Sequence, residues 1–346
     1  MSRFVAATPP SPRRPSMADV AALAGVSHQT VSRVLNTPEA VRPATRERVE
    51  AAIRELGYRR NTSARALVTR KTRLIGVVNP GEARFGPANM TMAIEEAASE
   101  AGYATTLAVM RDARAETVDR ALEFFLELGV EGIVFVAPMS SVAPAAVQLS
   151  TTLPVVMVAA GLRESSSLHV VAVDQEVGAR MATRHLIDLG HRDIVHVAGP
   201  NEWFDARSRI VGWRDELLDA GLPVPPMIAG GWDPVHGYEV GRRLVAQKRL
   251  PSAIFAANDP MALGMLRAFH EAGVGVPDDV SVVGFDDVEG ADYYEPPLTT
   301  VRQPFAAVGL RSIQILLAAL DGAPASRTLI APELIVRAST RAIAAV

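Results

Sequence analysis

The stretch MADVAALAGVSHQTVSRVLN, Met17 to Asn36, decides the fold of the N-terminal part of the chain. Ser16 followed three residues later by Asp19 is a capping-box pattern, which predicts that a helix begins with this stretch. Gly25 supplies a tight turn, and Ser27 has the side chain of a second N-cap. Two short helices joined by a three-residue turn have the spacing of a helix-turn-helix motif.

The second of these helices has one apolar and one polar face. Val31, Val34 and Leu35 form a stripe that predicts a buried face. The polar face belongs to a helix short enough to enter the major groove of duplex DNA. The residues on that face are His28, Gln29, Ser32, Arg33 and Asn36.

A third helix and a basic segment follow. In ATRERVEAAIRELGY, which ends at Tyr58, Val49, Ile53 and Leu56 recur at helical spacing, and the glycine after Leu56 predicts the end of the helix. The stretch NTSARALVTRKTR, residues 61–73, is basic and too short to be stable as an isolated helix. We expect it to become helical when it is docked against another surface.

The charge of the chain is unevenly distributed. Residues 1–73 hold 14 lysines and arginines against 5 aspartates and glutamates, a net charge of +9, whereas the remainder holds 21 against 33, a net charge of −12. A small basic part on an acidic body predicts that only the N-terminal part meets a polyanion. The alternative is a solubilising charged surface with no such partner.

Composition excludes several classes of protein. The chain has no cysteine, which removes disulfides, thiol nucleophiles and thiolate zinc sites and fits a reducing compartment. Residues 1–15 are rich in proline and basic, have no apolar signal-peptide core, and are predicted to be a disordered tail. No window approaches the roughly 20 apolar residues of a membrane span. We therefore expect a cytoplasmic protein with no membrane partner.

The rest of the chain alternates apolar runs with amphipathic stretches. LIGVVNP, YATTLAVM, GIVFVAP and PVVMVAA have the composition of buried parallel strands, and a second series comprises VVAVDQ, IVHVAGP, MIAGGW, AIFAAND and VSVVGFDD. Two such series predict two doubly wound lobes that bind a ligand at the carboxyl ends of their strands. Polar and aromatic residues gather at those ends, namely Trp203, Asp205, Trp232, Asn258, Asp259, Asp286 and Asp287.

Motifs for catalysis are missing from the sequence. It has no G-x-G-x-x-G, no Walker loop and no G-x-S-x-G elbow, and its seven histidines are scattered. His185 and His191 lack an acidic partner at metal-ligand spacing. We therefore expect neither an enzyme nor a cofactor or metal site.

The motifs together resemble the lac repressor family of bacterial regulators. DVAALAGVSHQTVSRVLN, TRERVEAAIRELGY and N..AR.L match its head and hinge, and HLIDLGHRDI, ANDPMALG, DVSVVGFDD and PPLTTVRQP extend the match through almost the whole chain. The implied fold class is α/β. An all-α helix-turn-helix head precedes a periplasmic-binding-protein-like body of two doubly wound parallel-sheet lobes.

The resemblance also implies domain boundaries. A disordered tail spans residues 1–15, a helix-turn-helix DNA-binding domain spans 16–60, and a hinge helix with its linker spans 61–73. Residues 74–346 form an effector-binding and dimerisation domain. Its first lobe comprises 74–172 and 303–332, and its second comprises 173–302 and 333–341.

The resemblance implies two kinds of contact with DNA. His28 and Gln29 would meet base edges, with Gln29 suited to adenine and Arg33 to guanine or a phosphate. In the hinge, Leu67 would wedge into a central step of the minor groove. The remaining residues of the implied interface are Ser27, Thr30, Ser32, Asn36, Tyr58, Asn61 and Ala64.

In the body, the resemblance implies a ligand site with polar and aromatic walls. Sugars present hydroxyl groups at the ring edge and apolar C–H faces, which suit charged groups and amides beside an aromatic plate. The polar contacts implied are Asp205, Arg209, Asn258 and Asp286. The aromatic contacts are Trp232 and Phe305, and the wall from the first lobe is Phe85, Pro87 and Met90.

Four positions depart from the sugar site of the family. Ala159 stands where a relative has a carboxylate, Asp205 replaces a serine, Val136 replaces an asparagine, and Arg84 is new. One pole of a galactoside pocket is kept and the other is changed. A sugar or glycoside is therefore expected as the effector, and a purine or nucleoside is the alternative.

We expect a homodimeric repressor that binds a pseudo-palindromic operator and is released by its effector. Corepression, in which the effector strengthens operator binding, is the alternative, and a solute-binding protein is the reading from a different class. RASTRAIAAV is followed by no leucine heptads, so a dimer is expected rather than a tetramer. The effector, the operator sequence and the target genes do not follow from the sequence.

Overall fold

The computed structural model describes residues 15–59, 71–79, 81, 84–109, 114–136, 146–147, 150, 153–160, 168–247 and 249–343. The chain divides into two compact units, Met1–Lys71 and Thr72–Val346, here called the head and the body. The predicted tail and most of the predicted hinge segment lie outside the described residues.

Three helices make up the described part of the head, in chain order α1 (Met17–Ala24), α2 (His28–Asn36) and α3 (Pro43–Leu56). The capping box is confirmed, because the Asp19 N–H donates to Ser16 Oγ and the Ser16 N–H donates to Asp19 Oδ2. Gly25 ends α1 in the left-handed region at φ 63°, and the Thr30 N–H donates to Ser27 Oγ over 3.2 Å. The caps thus fix both ends of the turn.

A small apolar core holds these helices together. Val20, Val31 and Val49, one from each helix, are fully buried, and Val34 joins them. Leu35, the third member of the predicted stripe, packs on this core while partly exposed. So small a domain buries a modest share of its surface, so each of these side chains matters for its stability.

The body contains a six-stranded parallel sheet with strand order β11-β5-β4-β3-β1-β2. Its strands are β1 (Leu74–Asn79), β2 (Ala104–Val109), β3 (Gly132–Phe135), β4 (Val155–Val158), β5 (His169–Val173) and β11 (Arg327–Ile330). The helices that accompany it are α4 (Phe85–Glu100), α5 (Ala115–Leu128) and α10 (Phe305–Leu320). These elements form the first lobe.

The second lobe is built on a four-stranded parallel sheet with strand order β7-β6-β8-β9. Its strands are β6 (Ile194–Ala198), β7 (Ile228–Ala229), β8 (Ala253–Ala256) and β9 (Ser281–Val283). Its helices are α6 (Gln175–Asp188), α7 (Phe204–Asp219), α8 (Pro234–Val245) and α9 (Asp259–Glu271). A short antiparallel pair joins β10 (Thr300–Arg302) to β12 (Glu333–Ile335).

One strand belongs to a different sheet from the one that its place in the second apolar series predicted, although the implied lobe boundary at residue 172 leaves most of it in the first lobe. VVAVDQ was placed in the second series, but β5 pairs with β4 on one side and with β11 on the other, in the first sheet. An apolar run shows that a strand is buried and does not show which sheet it joins, because pairing partners are set by long-range contacts. The chain leaves the first lobe after this strand.

Three crossovers connect the lobes. The chain passes from β5 into α6, from β10 into α10 and from β11 into β12. The lobes also touch through packing, because Phe204 at the start of α7 lies in a core cluster of the first lobe with Leu122 and Phe125. Among the described residues, no helix has both the length and the apolar character needed to cross a bilayer.

His196 is a buried titratable group in the core of the second lobe. Its ring stacks on Phe255 at 4.5 Å between centroids, and its Nδ1 lies 2.9 Å from the Phe255 carbonyl oxygen. Within the described part of the chain, its Nε2 has no hydrogen-bond partner. Burial lowers the pKa of His196 to about 4, so the folded body holds this imidazole neutral.

Replacing His196 by Phe should flatten the acid dependence of stability. Because the pKa of the imidazole is lower in the folded chain than in the unfolded chain, stability is lost as the pH falls from about 6.5 towards 4. This loss amounts to about 2 kcal/mol between pH 7 and pH 5. Urea denaturation at both pH values measures the free energy of unfolding. If wild type and His196→Phe lost the same unfolding free energy between pH 7 and pH 5, His196 would not be the group responsible.

Candidate nucleic-acid interface and ligand cavity

Helix α2 presents most of the predicted DNA contacts on one exposed face. Ser27, His28, Gln29, Arg33 and Asn36 are exposed, and Thr30 and Ser32 are partly exposed. The Ser27 hydroxyl is already used as the cap of the helix, and Asn36 Nδ2 donates to the Ser32 carbonyl oxygen over 2.9 Å. The side chains of His28, Gln29 and Arg33 are thus exposed to solvent on this face.

Tyr58 differs from the other predicted contact residues. Its side chain is 8% exposed and belongs to the core of the head, where it packs with the buried valines of the three helices. The structure therefore gives Tyr58 a packing role that the sequence pattern did not indicate, because a residue just beyond a helix C-cap can fold back onto the core. Asn61, Ala64 and Leu67 lie outside the described residues.

The positive charge of the N-terminal part lies mainly beside the folded helices. Residues 15–59 hold 6 arginines against 5 acidic residues, whereas residues 1–14 hold 3 basic residues and residues 60–73 hold 5, with no acidic residue in either segment. The exposed polar face of α2 and most of the positive charge are thus carried by different parts of the N-terminal segment.

In the body, the predicted ligand residues surround one cavity between the lobes. A cavity of about 560 Å³ is lined by seven of the nine, which are Phe85, Pro87, Asp205, Arg209, Trp232, Asn258 and Asp286. An adjoining space of about 50 Å³ is lined by Met90 and Phe305. The grouping arises because helices α4, α7 and α10 all begin at the carboxyl ends of the strands.

Arg209 forms the floor of this cavity. Its guanidinium is 2% exposed and lies over the Phe285 ring at 3.7 Å from the centroid. Nε donates to Gln175 Oε1 over 2.8 Å, Nη1 donates to the Ala257 carbonyl oxygen, and Nη2 lies 3.5 Å from Asp286 Oδ1. A buried guanidinium is stable only with such partners, because it cannot lose its charge.

Asp286 is the carboxylate beside this guanidinium. It accepts a hydrogen bond of 2.6 Å from Gln303 Nε2, and its backbone has φ 112°, a conformation that L residues rarely adopt. Burial raises the pKa of Asp286 to about 6, against the opposing charge of Arg209. Strained backbone at a cavity wall is characteristic of sites that hold a side chain in a functional position.

Asp205 connects the two lobes across the cavity. Its carboxylate accepts a hydrogen bond from the backbone N–H of Ala160, just beyond β4 in the first lobe. Desolvation raises the pKa of Asp205, while the charge of Arg209 acts in the opposite direction. Of the four departures from the family pattern, Asp205 and Arg84 line the larger space, and Val136 and Ala159 line the smaller, apolar one.

Aromatic rings form one side of the cavity. Trp203 and Trp232 meet edge to face with their centroids 5.6 Å apart, and the Arg209 guanidinium lies 5.5 Å from the Trp232 ring. In the described part of the chain, the buried Nε1 of Trp232 lacks a hydrogen-bond partner. The Arg84 guanidinium lies 5.5 Å from the Trp203 ring. This wall suits the apolar face of a ring-shaped ligand.

Asn258 both lines the cavity and caps a helix. Its Oδ1 accepts from the Met261 N–H at the start of α9, and its Nδ2 donates to the Trp232 carbonyl oxygen, each over 3.0 Å. The amide therefore also positions the Trp232 loop. A ligand contact at Asn258 would use the remaining lone pair or N–H of the same group.

Two acidic residues of the predicted strand-end group lie outside the cavity wall. Asp259 is fully buried and accepts from Thr300 Oγ1 and from the Val288 N–H. Asp287 is held by Arg302 Nε and Arg337 Nη2, each over 2.7 Å. Both therefore stabilise the loop after β9 rather than meeting a ligand.

The residues of the cavity wall that the predicted contacts left out include the polar and aromatic side chains of Arg84, Gln175, Trp203 and Gln303. Gln175 is the last residue of VVAVDQ, and Gln303 lies in VRQPF, two residues before Phe305. Gln175 thus lay at the end of a predicted strand, which was a signal available in the sequence, whereas Gln303 follows β10, a strand that was not predicted.

Comparison with known proteins gives matches to both units. The model of the bacterial regulatory proteins, lacI family, matches residues 16–61, and that of the periplasmic binding protein-like domain matches residues 183–340. The chain is 33% identical to the lactose operon repressor of Escherichia coli (strain K12) over 323 residues, covering 93% of this chain and 89% of that protein.

Solved structures agree with this fold. The lac repressor dimer bound to operator and the anti-inducer ONPF matches with a TM-score of 0.85 and 32% identity over 95% of this chain and 100% of that chain. The complex of the transcriptional regulator CelR with cellobiose matches with a TM-score of 0.71 and 33% identity over 94% of this chain and 100% of that chain.

Replacing Arg209 by Met should destabilise the body by about 3 kcal/mol or more, because it leaves the Asp286 carboxylate buried without its cation. The loss should shrink as the pH falls towards about 6, because the charge of Arg209 lowers the pKa of Asp286 and the carboxyl group of the variant is therefore protonated at a higher pH than that of the wild type. Urea denaturation of the full chain measures both effects. Arg214→Met is the matched control at an exposed pair with Asp215, where a change within about 0.5 kcal/mol is expected. Equal losses of unfolding free energy in the two variants would show that Arg209 does not stabilise the body by compensating the buried charge of Asp286.

Proposed function

The chain belongs to the lacI family of bacterial regulatory proteins and regulates transcription by binding DNA, and we infer that it is a repressor whose operator affinity is set by a sugar or glycoside in the body cavity. The observation that carries the effector proposal is the convergence of nine residues from both lobes on this cavity and its small extension. The relatives are repressors rather than enzymes, and a regulatory role without catalysis is proposed here too.

At the operator, two heads read two half-sites of a near-palindrome. Helix α2 enters the major groove, where Gln29 suits adenine and Arg33 suits guanine or a phosphate. The segment that contains Asn61, Ala64 and Leu67 folds on the DNA, and Leu67 enters the minor groove. The five basic residues of 60–73 add contacts to phosphates.

Exposed apolar side chains on the body support a homodimer. Strand β2 is an edge of its sheet, and its Leu107 and Val109 are 49% and 51% exposed. Met92 on the adjoining α4 is 61% exposed, and Leu263 adds a similar side chain on the second lobe. A second copy of the chain would cover these side chains. The lac repressor structure that this chain matches is itself a dimer, which supports the same state here.

In the cavity, the proposed ligand contacts both the charged side chains and the aromatic rings of the wall. Arg209 and Asp286 bond ring hydroxyl groups from the second lobe, Asp205 accepts from a hydroxyl between the lobes, and Trp232 covers an apolar face. The match to CelR in complex with cellobiose supports a carbohydrate. Binding closes the lobes and lowers operator affinity through a coupling of about 1–3 kcal/mol.

Operator binding in a bacterial cytoplasm would place the protein on the nucleoid.

A ligand screen followed by an operator titration tests this function. Thermal melts of the full chain with lactose, cellobiose, ribose and adenine should show a raised midpoint for a sugar, since a ligand that binds only the folded state stabilises it. Fluorescence anisotropy with labelled operator should then show weaker binding when that sugar is present. Tighter binding would establish corepression, and unchanged operator affinity with every bound ligand would exclude a ligand switch.

Replacing Leu67 by Ala should weaken specific operator binding about tenfold or more, because the minor-groove wedge is lost while the phosphate contacts remain. Anisotropy titrations with specific and random duplexes measure this. Leu310→Ala, at an exposed leucine of α10 in the body, is the control and should bind as wild type does. Equal loss for the specific and the random duplex would argue against the wedge.

Replacing Asp286 by Asn should lower effector affinity about tenfold or more and leave operator binding without ligand unchanged. Asparagine keeps an acceptor for Gln303 and Arg209 but removes the charge that strengthens a hydrogen bond to a hydroxyl group. Calorimetry and anisotropy measure the two affinities. Asp188→Asn, at an exposed end of α6, is the control, and a normal response of Asp286→Asn would mean that the pocket is misplaced.

A further inference from the structure

Four buried side chains at the cavity floor form a closed ring of polar contacts. Arg209 Nε donates to Gln175 Oε1 over 2.8 Å, and Gln175 Nε2 donates to Gln303 Oε1 over 2.8 Å. Gln303 Nε2 donates to Asp286 Oδ1 over 2.6 Å, and Asp286 Oδ1 lies 3.5 Å from Arg209 Nη2. All four residues are buried.

The direction of every bond in this ring is fixed by chemistry. A guanidinium can only donate, and an ionised carboxylate can only accept. Gln175 must therefore turn its oxygen towards Arg209, and Gln303 must turn its nitrogen towards Asp286. Turning either amide over would place two donors or two acceptors in contact, so each glutamine holds its neighbour in one orientation.

The two glutamines lie on two different crossovers between the lobes. Gln175 is the first residue of α6, where the chain has just left β5 of the first lobe. Gln303 directly follows β10, just before the chain enters α10 of the first lobe. Their mutual bond therefore joins the point of entry into the second lobe to the point of exit, although 128 positions separate them in sequence.

A ligand in the cavity would meet the atoms that hold this ring. Arg209, Asp286 and Gln303 line the larger space, and Gln175 and Gln303 line its smaller extension. A hydroxyl group that donates to Asp286 Oδ1 would compete with Gln303 Nε2 for the same oxygen. A change in that bond reaches Gln175 through a single further contact.

We propose that Gln175 and Gln303 are positioning residues that convey occupation of the cavity to the crossovers between the lobes. The proposal rests on the proposed function, in which a ligand in this cavity alters operator affinity. In this proposal, the ring has two arrangements. Gln303 Nε2 donates to Asp286 in the absence of ligand, and the ligand displaces that bond when it binds, which couples the cavity to operator affinity.

The first test uses the full chain without ligand or DNA. Gln303→Met keeps the side-chain length but removes the amide, and amide hydrogen exchange is then measured at the other crossover, at Val177 and Gly178. Exchange there should rise at least about threefold, and Gln175→Met should do the same at Phe305 and Val308. Gln314→Met, on the exposed side of α10, is the control.

Changes confined to the substituted crossover would overturn the proposal. Equal changes in the Gln314→Met control would overturn it as well, because they would show that exchange reports general loosening rather than the ring.

A charge-matched pair of variants tests the polarity of the ring. Gln303→Glu places a second carboxylate against Asp286, whereas Gln175→Glu places one against Arg209. Gln303→Glu should therefore show the lower melting temperature, and melting is followed above pH 7, where Asp286 is ionised. A merely space-filling role predicts equal shifts for the two variants, and that result would overturn the proposal.

The coupling itself is measured with lactose and cellobiose as the probes. For both Met variants, calorimetry first gives the concentration at which the active sugar saturates the chain, and at that concentration the ratio of operator Kd values with and without sugar should fall to about one. A normal ratio in either variant would overturn the inference and leave the proposed function intact. A wild-type chain that binds a sugar without any change in operator affinity would instead refute the proposed function.

Discussion

The body is organised around one permanent charge that is buried between its lobes. Arg209 cannot be neutralised, so the chain must surround its guanidinium with acceptors and an aromatic face. Ala257, Gln175 and Asp286 supply the acceptors, and Phe285 supplies the ring. These partners come from the ends of β8 and β9 and from one crossover, so satisfying the guanidinium also brings the walls of the cavity together.

Ligand binding and lobe arrangement are consequently linked in this fold. Asp205 of the second lobe accepts from the Ala160 N–H of the first, and Phe204 packs in the core of the first lobe. A ligand that contacts Asp205 or Asp286 touches groups that already hold the lobes in position. Its binding free energy therefore differs between lobe arrangements, which is the requirement for a ligand to shift such an equilibrium.

In the N-terminal part of the chain, the folded helices and most of the positive charge lie in different segments. Its folded part carries nearly balanced charge and offers the polar face of α2, while the flanking segments carry eight more basic residues, three before it and five after it. In the proposed function, the first provides base readout that depends on geometry, and the second provides attraction that depends on salt. Local sequence patterns were enough to predict the head helices, because the caps at Ser16 and Ser27 and the turn at Gly25 depend only on neighbouring residues.

The sequence by itself determined the three head helices, most strands of the body and, through the family resemblance, nine residues that meet at one cavity and its extension. The tertiary structure added that β5 pairs with both β4 and β11, that Tyr58 packs in the head core and that Gln175 bonds Gln303. The physical reason is range. Caps and apolar periodicity act within a few residues, whereas strand pairing, core packing and buried polar contacts join residues far from one another in sequence, as Gln175 and Gln303 are at a separation of 128 positions.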